Sequence, residues 1–153
     1  MRIGLTGTMS VGKTTLVNQL IDLPEFNGYT KRTERSKYLM EMGIPLNTDS
    51  TLKGQTIFLA ERASELMQEN IITDRTVIDV MAFTFLSQSM TDEEKKHFIK
   101  LASNLIPEYD VIVYVSPKGI PIEDNSVRET DPFYRNQVDS MIRSFLIAHE
   151  DKI

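Results

Sequence analysis

The most specific chemistry in this sequence lies in Gly7-Thr8-Met9-Ser10-Val11-Gly12-Lys13-Thr14, followed by Thr15. The run matches G-x-x-x-x-G-K-[ST] at every fixed position. Its glycines let the backbone curl until successive N–H groups face a phosphate. Lys13 is spaced to reach the β- and γ-phosphates of ATP, and the Thr14 hydroxyl to hold Mg²⁺. A helix opening near Lys13 would turn its positive end on the same anion. At average glycine usage a chance match in a chain this long is on the order of one in a hundred. The run also sits between a strand-like and a helix-like segment, the context that such a loop requires.

Three further groups of residues could serve phosphoryl transfer. That reaction needs a carboxylate near the acceptor oxygen and cations around the moving phosphoryl. Glu34 and Arg35 supply both types within Lys31 to Lys37; the plainer alternative is a solvated, charged start to a helix. Asp74 and Arg75 follow an apolar segment. Asp74 there could hold Mg²⁺ and Arg75 could clamp a phosphate or a developing oxyanion. Alternatively, Asp74 only caps a helix and Arg75 pairs a surface acid. Asp79 could join them or be a satisfied polar residue beside a core. Residues 117–135 form a candidate lid loop with Lys118, Arg128 and Arg135. Arg128 could neutralise transition-state charge there, against the alternative of an exposed loop with scattered charge.

The elements that must position these residues alternate between strand and helix. Arg2 to Thr6 reads as a buried strand running into the loop, and Leu16, Val17, Leu20 and Ile21 mark one face of the next helix. A weak second strand covers Gly28 to Arg32, and a short helix Ser36 to Met42. Thr48-Asp49-Ser50 then offers caps for a helix running to about Glu69. Its expected apolar stripe is Leu52, Thr56, Leu59, Ala60, Ala63, Leu66 and Met67, with Glu61, Arg62, Glu65 and Gln68 in water. Asn70 to Thr73 reads as a core strand and Ile78 to Ser87 as a buried helix. A capping box at Thr91 opens a helix carrying Phe98, Leu101, Ala102 and Leu105. Tyr109 to Ser116 is the clearest strand. Asp131-Pro132 starts a last helix with Tyr134, Val138, Met141 and Phe145 on one stripe. Such alternation predicts one α/β domain over residues 1–153, a parallel sheet with helices on both faces and its site at the carboxyl ends of the strands.

Composition narrows the partners. With 17 Lys and Arg against 22 Asp and Glu, the net charge of −5 disfavours constitutive binding to nucleic acid. The absence of cysteine excludes disulfides, thiolate nucleophiles and zinc-thiolate sites. His97 and His149 are too few for a histidine-rich metal centre and are expected at the surface. The longest apolar run, Val111 to Val115, is far short of a membrane span, and the N-terminus lacks a signal peptide's pattern. The expectation is a cytoplasmic protein that does not enter membranes. The apolar helix Ile78 to Ser87 is a candidate homodimer face.

The phosphate loop, together with Asp74-Arg75-Thr76-Val77-Ile78-Asp79-Val80-Met81-Ala82-Phe83 and Asp124-Asn125-Ser126-Val127-Arg128-Glu129, resembles the small P-loop kinases. These are the kinases related to the ribosylnicotinamide kinase domain and to deoxynucleoside and thymidylate kinases. The resemblance implies a three-layer P-loop NTPase fold of the nucleoside and nucleotide kinase kind. It implies transfer of the ATP γ-phosphoryl to a nucleoside or nucleotide-like acceptor. Lys13 becomes the phosphate clamp, Thr14 a Mg²⁺ ligand, Glu34 the acceptor base and Asp74 an acid of the metal or acceptor site. Arg75 and Arg128 become anion stabilisers. The group's fifth strand, whose loop helps hold adenine, is expected to be missing or very short. Two alternatives stand beside this reading: a kinase for a hydroxyl in a polynucleotide, and a regulatory module that binds ATP without transfer. Lys13→Ala is expected to abolish transfer and weaken ATP binding, read by turnover and equilibrium titration; wild-type turnover in that variant would end the phosphate-loop argument.

Overall fold

Four short strands form one parallel sheet in the order β2-β3-β1-β4: β1 (Arg2–Thr6), β2 (Thr30–Arg32), β3 (Ile71–Thr73) and β4 (Val111–Tyr114). The computed structural model describes residues 1–9, 12–33, 41–45, 47–117 and 132–150. Among them are five α-helices: α1 (Lys13–Ile21), α2 (Leu52–Leu66), α3 (Val77–Leu86), α4 (Asp92–Ser103) and α5 (Pro132–Ala148). Most of the expected helix over 36–42 and most of the candidate lid loop lie outside the described residues, as do Glu34, Arg35 and Arg128.

Alternation along β1 assigns its side chains to two cores, because successive residues of a strand face opposite ways. Ile3 and Leu5 pack with Val17 of α1 and Ile72 of β3 on one face. On the other face α2, α3, α4 and α5 bury Leu59, Ile78, Met81, Phe98, Ala102, Val138 and Ile142. Burial of each large aliphatic side chain contributes about 1.5–3 kcal/mol. The result is three layers, helix, sheet and helix. No helix among the described residues is long and apolar enough to cross a membrane.

The strands follow the sequence closely. β2 is the exception in character, because all three of its residues are exposed. It is held by pairing with β3, Arg32 opposite Thr73, and not by an apolar face. α3 is buried nearly all round, as its composition demands, though Phe85 is exposed. The capping box at the start of α4 forms as expected, with Thr91 and Glu94 bonding reciprocally. Leu101, however, faces solvent, because Phe98 and Ala102 supply the inward face of α4.

The long helix α2 corrects the sequence expectation twice. Its N-cap is Thr51, whose hydroxyl accepts from the Gly54 N–H, because residues 47–49 form a 3₁₀ turn of their own. Its faces are also rotated. Arg62 and Glu65, expected in water, are buried, while Leu52 and Met67, expected in the core, are exposed. Inward-facing polar groups find partners there: Gln55 Nε2 donates to Thr84 Oγ1 at 2.9 Å and to the Val80 carbonyl at 3.3 Å. Arg62 Nε donates to Glu65 in a close ion pair. Paired in this way, polar groups can occupy a face that apolar residues would otherwise claim.

One close approach locks α3 onto the sheet. A Cβ on Gly4 would lie 2.4 Å from Thr76 Cγ2 and 2.9 Å from Tyr109 Cε1. Gly4→Ala is therefore expected to destabilise the fold by about 1–3 kcal/mol, measured by denaturant unfolding. A variant as stable as the wild type would show that this contact yields at no cost.

Candidate active site

The loop after β1 is shaped by its last glycine. Gly12 sits at φ +87°, a left-handed conformation open to glycine and costly for side chains, and there it forms the N-cap of α1. No side-chain hydrogen bond caps that helix among the described residues, and its first turn holds no acid, which suits a helix end that meets an anion. Lys13 is buried, with Nζ donating to the carbonyls of Gly7 and Thr8, both at 2.8 Å. The ammonium is therefore held directly above the loop that it is spaced to serve. Thr15 follows on the exposed side of α1, and Ser10 and Val11 lie outside the described residues.

Parallel pairing of β1 with β3 sets the second half of the site beside the first, Gly4 opposite Thr73. Asp74 then comes to Thr14: the Thr14 hydroxyl donates to Asp74 Oδ2 at 2.9 Å. Asp74 is buried, and its Oδ1 has no hydrogen-bond partner among the described residues. A buried carboxylate oxygen left open beside a hydroxyl fits a hard, oxygen-seeking cation such as Mg²⁺. Among the described residues no three His, Asp or Glu gather as a metal cage. Mg²⁺ needs none, since it takes one or two protein oxygens and fills its shell with water and phosphate. Asp74 is not a helix cap; Thr76 caps α3.

Asp79 is the satisfied buried acid that the sequence offered as an alternative. It accepts from Thr6 Oγ1 at 2.9 Å, from the Gly7 N–H at 3.2 Å and from the Thr76 N–H at 2.8 Å. Arg75 Nη1 lies 3.3 Å from Asp79 Oδ1, and its guanidinium stacks 5.1 Å from the centre of the Phe83 ring. Arg75 thus pairs with a buried acid and not a surface one, and shares the Asp79 carboxylate with the Gly7 N–H.

Arg135, expected at the end of the lid loop, lies instead in the first turn of α5, and the Arg62–Glu65 pair was not expected in this neighbourhood. Arg135 is buried, its Nε donates to the Met9 carbonyl at 3.1 Å, and its own carbonyl accepts from Thr8 Oγ1 at 2.9 Å. The first turn of α5 is thereby fastened to the phosphate loop. The signal available in the sequence was its place beside Tyr134, one turn before Val138 and Asp139. Behind Asp74, burial pushes the Glu65 carboxyl up to about 7 against the pull of Arg62, and the Asp74 and Glu61 charges push the same way. Burial works against the Arg62 charge too, but Glu65, Tyr109 and Glu61 more than offset it and hold Arg62 above its ordinary value. Both histidines stay outside the site, His97 exposed and His149 half-buried on the Phe145 carbonyl.

A phosphate loop between a central parallel strand and a helix, with an acid ending the neighbouring strand, defines the P-loop NTPase fold. The chain belongs to the AAA domain family, whose model matches residues 2–152. Deoxyadenosine kinase from M. mycoides, solved with products dCMP and a flexible dCDP bound, is similar in structure. Its TM-score is 0.66 at 18% identity, over 98% of this chain and 85% of that one. The NadR protein in complex with NR is similar at TM-score 0.71 and 16% identity, over 98% of this chain and 41% of that one. No curated protein matches the chain. The fold is the one the motifs led us to expect.

The raised Glu65 carboxyl gives stability a sign with pH. Between the ordinary carboxylate range and about pH 7 the folded chain holds a proton there that the unfolded chain has released. That contribution is present at low pH and is lost as pH rises through about 7. Glu65→Gln is expected to flatten this fall, read as unfolding free energy at closely spaced pH values between 5 and 8. An unchanged slope in the variant would remove Glu65 as its source.

Proposed function

We propose that this protein is a phosphotransferase that moves the γ-phosphoryl of ATP to a nucleoside or nucleotide-like small acceptor. One observation carries the reading: Thr14 is bonded to a buried Asp74 whose second oxygen stays open beside the phosphate loop. Binding alone would need only the loop and a cation; candidate acids at two strand ends, Asp74 after β3 and Glu34 after β2, lean toward transfer. The likeness in fold to deoxyadenosine kinase supports a nucleoside as the class of acceptor.

In this reading the loop N–H groups and Lys13 hold the β- and γ-phosphates and fix their orientation. Thr14 and Asp74 hold Mg²⁺, which when bound neutralises charge developing on the phosphoryl oxygens. Glu34 is the proposed base for the acceptor hydroxyl. It follows β2 by two residues, and β2 ends against this site, because the Asp74 N–H donates to the Arg32 carbonyl at 3.1 Å. Arg75, paired to Asp79, presents positive charge near the strand ends. Arg128 is the proposed cation of the lid.

The test is Mg²⁺-dependent transfer from ATP, screened against nucleosides, nucleoside monophosphates, nicotinamide riboside and a short DNA with a free 5′-hydroxyl. A monomeric acceptor should be phosphorylated well above the rate of ATP hydrolysis; DNA alone, or no acceptor at all, would overturn the proposal. Asp74→Asn is expected to lower kcat by ~10²-fold and to raise the Mg²⁺ concentration needed for half-maximal rate. Glu34→Gln should lower turnover by ~10²-fold with ATP affinity nearly unchanged. A loss below threefold would remove Glu34 from the site.

A further inference from the structure

Arg75, Asp79 and Phe83 recur every fourth residue, from the residue before the N-cap of α3 into its second turn. Residues at that spacing share one helix face, and their side chains lean toward the helix N-terminus. Asp79 and Phe83 therefore lean toward Arg75. Two contacts result: Asp79 Oδ1 lies 3.3 Å from Arg75 Nη1, and the Phe83 ring centre lies 5.1 Å from the guanidinium carbon. The backbone is held as well, since the Thr73 hydroxyl donates to the Arg75 carbonyl at 2.7 Å. A planar cation fits this place, with a carboxylate at its edge and an aromatic face beneath it.

Asp79 is fully buried, and a buried carboxylate needs an opposite charge as well as hydrogen-bond donors. Thr6, Gly7 and Thr76 give it donors, and Arg75 gives it the charge. Arg75 in turn keeps 15% side-chain exposure, and Asp79 engages its Nη1 alone. Among the described residues its Nε and Nη2 remain to meet an anion, because an arginine offers five donors. The Asp79 Oδ1 that meets Arg75 also accepts from the Gly7 N–H at 3.2 Å. One oxygen thus fixes the guanidinium relative to the first residue of the phosphate loop.

We propose that Asp79 and Phe83 are positioning residues of phosphoryl transfer: together they form a slot for a guanidinium that holds Arg75 at a fixed place beside the phosphate loop. The inference rests on the phosphotransferase reading and deepens it. Arg75 meets the phosphoryl oxygens, and its two neighbours act only through it. Placement matters because charge is spread over the oxygens of the moving phosphoryl, and a misplacement of about 1 Å can cost ~10²-fold. The loop and the slot share Asp79, so a phosphate bound at the loop finds its stabilising cation already set.

The test is chemical rescue of Arg75→Ala by guanidinium ion, read in Mg²⁺-dependent transfer from ATP to the acceptor that the screen above identifies. Arg75→Ala should lower kcat by ~10²-fold and leave KM for ATP within about twofold. Guanidinium chloride at millimolar concentration, far below denaturing levels, should raise that kcat by about tenfold. Methylammonium, which has the charge but not the plane, should not. Phe83→Leu added to Arg75→Ala should remove the rescue, and so should Asp79→Asn. Phe83→Leu leaves every bond of Asp79 in place, so it decides the matter should Asp79→Asn not fold. If Arg75 only neutralises Asp79 in the core, guanidinium would raise the melting temperature of Arg75→Ala without restoring kcat. That result would overturn the proposal, as would wild-type kcat in Arg75→Ala, no rescue at all, or equal rescue with and without Phe83. Absence of transfer by the wild type to every acceptor would instead bring down the phosphotransferase reading, and this inference with it.

Discussion

The carboxylate of Asp79 ties the phosphate loop to the rest of the molecule. It receives bonds from the end of β1, the first N–H of the loop and the N-cap of α3, and it pairs with Arg75. Hydrogen bonds to a charged group contribute about 1.5–3 kcal/mol each, more than neutral ones. A single residue therefore sets where the loop begins and how α3 leaves β3. Because α3 is the buried centre of the helical layer, the loop inherits the rigidity of the core. The left-handed Gly12 then only has to close the loop onto α1.

The two sides of the site are held by different physics. On the β1 side backbone carbonyls accept from the buried cations Lys13 and Arg135, and the Thr8 hydroxyl donates to the Arg135 carbonyl. On the β3 side buried charges face one another. Asp74 and Glu65 lie within electrostatic reach of each other, and Arg62 interacts with Glu65, Tyr109 and Glu61. Burying an ion pair costs several kcal/mol per ion in desolvation, and its attraction repays this only with good geometry. The Arg62–Glu65 pair is thus better understood as fixing the rotation of α2 than as a source of net stability. One buried Arg62 nitrogen, Nη1, has no partner among the described residues, which marks the cost of that arrangement.

Different parts of this picture were legible to different degrees. Gly7 to Thr14 was plain because its fixed residue types and spacing match a phosphate-loop motif at every position. β1 and β3 were plain because strands buried on both faces are continuous apolar runs, and β4 because its run of Val, Ile and Tyr stands out although it is only half-buried. β2, with Thr30, Lys31 and Arg32 exposed, carries almost no local signal, and its ladder with β3 creates it. α2 misled because Thr56, Ala60 and Ala63 are small enough to fit either face. The true inward row of Gln55, Leu59, Arg62 and Leu66 becomes apolar enough only once Glu65 neutralises Arg62. Arg135 was seen as part of a loop, and its hold on Met9 spans 126 residues, beyond any periodicity argument.

The same long-range hold has a consequence for biosynthesis. The loop is made well before the helix that fastens it, since Thr8 and Arg135 are 127 positions apart. Contacts of such separation form late, after nearer ones have reduced the entropy of closing the chain. During N-to-C synthesis the loop emerges early but lacks its bracing until α5 has docked. A nascent or truncated chain would carry the complete glycine and lysine pattern without its final shape. The shape of the loop is thereby deferred until α5 has docked, and the docking of that helix is the step that commits it.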